Sequence, residues 1–169
     1  PGTEDTNGFA RQNWFEPVGR EAAMLRDAVG VIDISNFGKY EVTGPGAGDW
    51  LDALVANHVP REIGKSCLTP LIGMRGGVAG DFTVTMTGDE SYMMIGSGMA
   101  ERYHRRFFDM VPLPDGTGFE VATPRIAGFN VAGPRSREML AGLTDADLSN
   151  EGWRFMRSRR IAVGGVDCL

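Results

Sequence analysis

Polar and apolar residues alternate most clearly between Val78 and Thr87. Val78, Gly80, Phe82, Val84 and Met86 fall on one side, and Ala79, Asp81, Thr83, Thr85 and Thr87 on the other. Successive strand side chains point to opposite faces, so this stretch reads as a strand with one apolar and one polar face. Lys39–Thr43 alternates in the same way, whereas Tyr92–Ile95 is apolar throughout, as in a central strand. Further strands are expected at 30–35, at 67–72 (weakened by Pro70), at 119–121 and at 126–131. Helical spacing appears in Val18, Ala22, Leu25 and Val29, and predicts a helix over 17–29 that Gly30 stops. A second helix carries Trp50, Leu51, Leu54 and Val55. A third covers 99–111, with Ala100, Tyr103, Phe107 and Val111 as its inner face. A fourth covers 134–143, and 153–163 reads as a weaker passage from helix to strand. Residues 1–12 read as an extended arm or linker.

One pattern occurs twice. Val42-Thr-Gly44-Pro45 leads into Trp50, Leu51 and Leu54, and Val131-Ala-Gly133-Pro134 leads into Met139, Leu140 and Leu143. Each is a strand, a glycine turn, a proline in the first helical turn and an amphipathic helix. Shared descent and shared turn chemistry both account for the echo. Two strand–helix units joined by further strands predict an α+β fold of the split-βαβ type. A largely antiparallel sheet would carry helices packed on it.

Composition sharpens this picture. Of 169 residues 24 are Gly, about twice the usual share of ~7%, so turns are many and elements short. The net charge of −5 argues against a nucleic-acid partner, which needs a basic surface. No apolar run approaches the ~18 residues of a membrane span. Cys67 and Cys168 form no CxxC pair, and a reducing compartment is the default.

Several motifs fail on inspection. Gly64-Lys65-Ser66 resembles the end of a P-loop, but its first required glycine is Val59. Gly44-Pro45-Gly46-Ala47-Gly48 has Asp49 where a dinucleotide fingerprint needs glycine, and Pro45 offers no N–H to a phosphate. His58 and His104 lack partners at metal-ligand spacing. The arginines at 102–106 and at 154–160 read as solvated faces. Asp81 stands out, because Asp is depleted from strand interiors. It reads either as an exposed acid on the wet face of the strand or, after the Gly76-Gly77 turn and flanked by Thr83 and Thr85, as a carboxylate placed to bind or polarise an amine.

The runs Asn13-Trp-Phe-Glu-Pro-Val-Gly-Arg-Glu21, Val29-Gly-Val-Ile-Asp-Ile-Ser35 and Phe37-Gly-Lys-Tyr-Glu-Val-Thr-Gly-Pro45 are specific. So are Arg75-Gly-Gly-Val78, Asp81-Phe-Thr-Val84 and Val131-Ala-Gly-Pro-Arg-Ser-Arg137. Together they resemble the folate-binding domain of the dimethylglycine/sarcosine dehydrogenase family, related to the aminomethyltransferase (T-protein) of glycine cleavage. The resemblance covers about residues 9–169 and is closer to the flavoenzyme branch. It implies the first lobe of the aminomethyltransferase folate-binding fold over 13–169, and tetrahydrofolate as cofactor. An upstream FAD domain, in cis or on a partner chain, would oxidise a small methylated amine to an iminium species. The folate domain would then capture its one-carbon unit. The bacterial cytoplasm or the mitochondrial matrix is the implied location.

The family's essential carboxylate corresponds to Asp81. Phe37 matches a position lining the pocket, and Thr85 shares the Asp81 face. Leu68 stands where the T-protein has Tyr, and Gly96 where it has Asn, so those ligand contacts do not carry over unchanged. The family's module continues beyond Leu169, so the chain is expected to be part of a larger enzyme and to bind folate weakly alone. Two alternatives stay open. One is a T-protein-like aminomethyltransferase or other folate-dependent demethylase without FAD. The other is a non-catalytic folate-binding module related to iron–sulfur maturation proteins.

Overall fold

The computed structural model describes residues 8, 9 and 11–169, so most of the arm expected over 1–12 lies outside the described residues. The elements run α1 (Phe15–Asp27), β1 (Gly30–Asp33), β2 (Gly38–Thr43), α2 (Ala47–Leu54), β3 (Ser66–Ile72), β4 (Val78–Gly88) and β5 (Ser91–Gly96). They continue with α3 (Glu101–Phe108), β6 (Gly118–Val121), β7 (Phe129–Ala132), α4 (Ser136–Ala141), β8 (Ile161–Val163) and β9 (Val166–Cys168).

The main sheet has the order β3-β4-β5-β2-β6, and every neighbouring pair is antiparallel. β5 and β6 therefore run parallel to each other, joined through α3, with β2 inserted between them. This is the expected split-βαβ arrangement in an α+β fold. β1 pairs with β7, and β8 with β9, as separate two-stranded sheets. Pro70 is tolerated because β3 is the edge strand, where a missing N–H costs no ladder bond.

The period of two decides what the sheet buries. Tyr40 and Val42 of β2, Phe82, Val84 and Met86 of β4, and Tyr92 and Met94 of β5 pack with Trp50, Leu51 and Leu54 of α2 and Phe108 of α3. Tyr40 is fully buried at the centre, edge-on to Phe82 and Phe108 and stacked on Phe119. Trp50 closes the layer, and its indole N–H donates to the Val111 carbonyl at 2.9 Å. The two echoed segments make the same turn. Gly44 (φ 102°) and Gly133 (φ 116°) take backbone angles that favour glycine, and each carbonyl accepts from the third residue on, Ala47 or Ser136, at 3.1 Å.

Two helical expectations shift. In α3 the fully buried residues are His104 and Phe108, whereas Phe107 and Val111 are only partly buried and Tyr103 is exposed. A 3-10 turn at Gly98–Ala100 precedes α3 and offsets its register from one continuous helix. The 153–160 stretch forms no helix, because its backbone bonds go elsewhere. The Ser66 N–H donates to the Met156 carbonyl, and the Ser158 N–H to the Gly64 carbonyl, tying the segment to the edge at β3.

His104 is 1% exposed and shares a 3.3 Å hydrogen bond with the Tyr40 hydroxyl through Nδ1. Its ring lies edge-on to Phe82, and a Cβ at Gly80 would sit 2.6 Å from Nε2. Burial pushes the imidazole below its ordinary 6.5, and the nearby negative charge of Asp81 opposes that shift.

Two predictions follow from this core. Trp50→Ala lowers unfolding free energy by about 3–5 kcal/mol in chemical denaturation, and a loss under about 1 kcal/mol contradicts the packing. The second concerns pH. A depressed His104 pKa means that the unfolded chain binds the proton first, so stability falls as pH drops through the ordinary imidazole value of 6.5. His104→Gln flattens that slope in paired denaturation curves, and identical slopes contradict the buried neutral imidazole.

Candidate functional site

The face of the sheet opposite α2 and α3 carries the other half of each strand. Register places Lys39, Ile95, Thr83 and Leu68 in one cross-strand row on β2, β5, β4 and β3. Asp81 stands two residues further along β4, opposite Pro70. Over the end of this face opens a cleft of about 320 Å³. Phe37, Leu68, Asp81 and Gly96 all line it, as do Asn36, Phe82, Thr83, Ile95, Ser97, Gly98 and Met99.

Four of the five residues singled out from sequence therefore meet in one place. Thr85 does not line the cleft. It is buried one row further along the strand, where its hydroxyl shares a 2.8 Å hydrogen bond with Ser66. Thr83 holds the corresponding place beside Asp81. Asn36, Ile95, Ser97, Gly98 and Met99 line the cleft without any signal in the sequence that marks them as site residues. Ile95 belongs to an apolar central strand, and the others sit in turns whose approach no periodicity encodes.

The walls are made by different means. Phe37 leaves the turn before β2 and is only partly covered, and Leu68 and Met99 are strongly exposed. Gly96 is a matter of room, since a Cβ there would lie 2.6 Å from the Phe82 ring and 3.2 Å from the Asp81 carbonyl. A larger residue at 96 would need Phe82 to shift. At Gly98 a Cβ would collide with the Asn36 carbonyl, so the two rim turns touch backbone to backbone.

Asp81 is exposed to the cleft, and its carboxylate makes no hydrogen bond or ion pair among the described residues. Elsewhere carboxylates are engaged: burial pushes Asp52 up, but the Val59 N–H and Arg61 outweigh it and hold the group below the ordinary range, and Arg157 does the same for Glu62. Asp81 is thus an unengaged acceptor beside aromatic, aliphatic and thioether surface. Such a site takes a flat apolar body with an N–H or ammonium group at one edge. Among the described residues no group of three or more His, Cys, Asp or Glu could hold a metal, and both cysteines are free. No described helix is long and apolar enough to cross a membrane.

The chain is 31% identical to mitochondrial dimethylglycine dehydrogenase of Mus musculus over 97% of its own length and 19% of that protein. It is 28% identical to the aminomethyltransferase of a Thermoanaerobacter species over 98% of this chain and 45% of that one. It thus spans less than half the length of either relative. The crystal structure of the glycine cleavage system aminomethyltransferase T from Bartonella henselae superposes with a TM-score of 0.69. That match has 20% identity and covers 92% of this chain and 43% of the other. The family model described as the GCVT N-terminal domain matches residues 2–169, and the chain belongs to that family.

Proposed function

We propose that this chain is the folate-binding portion of an enzyme that oxidatively demethylates an N-methyl amine. The one-carbon unit passes to tetrahydrofolate in the Asp81 cleft. The observation that carries this reading is the unpartnered Asp81 carboxylate set among Phe37, Leu68 and Met99. A reduced folate is a flat heterocycle with ring N–H groups and a basic amine, so it presents both the surface and the donors that these residues lack. The likeness to dimethylglycine dehydrogenase supports the amine-oxidising context.

In this reading Phe37 and Met99 cover the ring faces and keep water from the reacting edge. Asp81 accepts a hydrogen bond from the ring amine, holds its orientation, takes its proton as the nitrogen bonds to the iminium carbon, and returns a proton to the demethylated amine as its bond to that carbon breaks. Once the ring covers it, the carboxylate acts in a drier medium, where a fixed charge also stabilises developing positive charge more strongly. FAD, which would supply the oxidation of the amine, is assigned to another domain or a partner chain. A matrix or bacterial cytoplasmic location accords with that chemistry.

The aminomethyltransferase likeness favours a second reading, a transferase that needs no FAD. The two separate on whether the intact enzyme, together with any partner chain, carries FAD and oxidises the amine.

Asp81→Asn in the intact enzyme lowers kcat/KM for methylenetetrahydrofolate formation by about 10²–10⁴-fold, the usual weight of a general acid–base group. Product formation and calorimetric folate affinity together measure it. Values equal to wild type for both remove Asp81 from the chemistry.

A further inference from the structure

Lys39 is 3% exposed, although lysine is almost never fully buried unless paired. Among the described residues it makes no ion pair with a carboxylate. Its Nζ donates instead to two backbone carbonyls, Ser35 at 2.9 Å and Phe37 at 3.0 Å. Asp33 interacts electrostatically with it; that carboxylate accepts from the Ser35 N–H at 2.7 Å and is held low chiefly by Ser35, with Lys39 adding to the effect.

Burying an ammonium is costly, and an apolar side chain of the same length would pack at lower cost. What Lys39 does that such a side chain cannot is hold both carbonyls of the turn that precedes β2. That turn carries Asn36 and Phe37 into the cleft. It is stitched from other sides as well. The Phe37 N–H donates to the Ile34 carbonyl, the Gly128 N–H donates to Ser35 Oγ, and the Asn36 carbonyl rests against Gly98. Among the described residues, only Lys39 bonds the Phe37 carbonyl through a side chain.

We propose that Lys39 is a positioning residue of the cleft. Its ammonium ties the Ser35 and Phe37 carbonyls and thereby sets the Phe37 ring against a planar, amine-bearing ligand. This rests on the folate reading above for the identity of the ligand, but the tether itself does not. Phe37 is otherwise partly exposed on a turn, and a ring free to rotate away would lose much of its stacking contact. Lys39 acts through Phe37, so its removal and that of the Phe37 ring weaken the same contact.

The test uses the intact enzyme. Lys39→Met raises KM for tetrahydrofolate by about tenfold, the scale of one lost aromatic stacking contact, and raises KM by more than it lowers kcat. Phe37→Leu does the same, and the double variant is no worse than the poorer single one. Unchanged KM in Lys39→Met overturns the proposal, as do losses that multiply in the double variant. A Lys39→Met enzyme that fails to fold also overturns it, because the residue is then one of stability. Fluorine NMR of 4-fluorophenylalanine at position 37 reads the tether without any ligand. One sharp line in the wild type shifts and broadens in Lys39→Met, and an unchanged line overturns the tether. A wild-type enzyme with no affinity for tetrahydrofolate instead removes the functional reading, and with it the ligand named here.

Discussion

The insertion of β2 between β5 and β6 governs the rest of the molecule. Both neighbours pair with it through backbone ladders, from Gly38↔Gly96 to Thr43↔Ser91 on one side and from Tyr40↔Val121 to Thr43↔Gly118 on the other. Once that register is set, each residue of β2 has a fixed side. Tyr40 and Val42 enter the helix-covered core, and Lys39 and Glu41 face the opposite layer. A slip of one residue would turn Tyr40 out and bury Glu41, which no pairing in the core could satisfy. The same register aligns Lys39, Ile95, Thr83 and Leu68 into the row that leads to the cleft.

The two faces of the sheet are coupled through thin spacers. His104 lies on the core side against Gly80, immediately before Asp81 in the same strand. The glycine lets the imidazole approach the backbone, and a Cβ would push it away. Stability and function therefore meet at β4. Its even positions anchor Phe82, Val84 and Met86 in the core, and its odd positions present Asp81 and Thr83 to the cleft. A strand buried on one face is a rigid platform, and rigidity is what a positioned carboxylate needs.

Much of this was legible in the residues. The alternation of 78–87 encoded β4 and its two faces, and Gly44-Pro45 and Gly133-Pro134 encoded two matching helix entries. Asp81 was conspicuous because an acid is unusual in a strand. Phe37, Leu68 and Gly96 came from family resemblance rather than periodicity, and the fold brings them to the same cleft. What stayed hidden depends on long-range contacts. His104 stands among arginines and looks like a polar face, and only the offset made by the 3-10 turn and the aromatic pocket of Tyr40, Phe82 and Phe108 turn it inward. Of the passage from helix to strand expected over 153–163, the strand forms as β8, and the helical part does not, because the edge at β3 that takes its hydrogen bonds is remote in sequence. Thr85 and Thr83 share a face, and only Ser66 across the strand pair explains why Thr85 is occupied elsewhere.

In the function proposed above, the Asp81 cleft is where the reduced folate binds. A crystal structure of the intact enzyme with bound tetrahydrofolate tests it most directly. The account places the pterin ring over Phe37, with a ring N–H donating to the Asp81 carboxylate. A folate seated elsewhere, such as in the second hollow lined by residues 141–146 and Ile161, with the Asp81 cleft filled only by water, would contradict it.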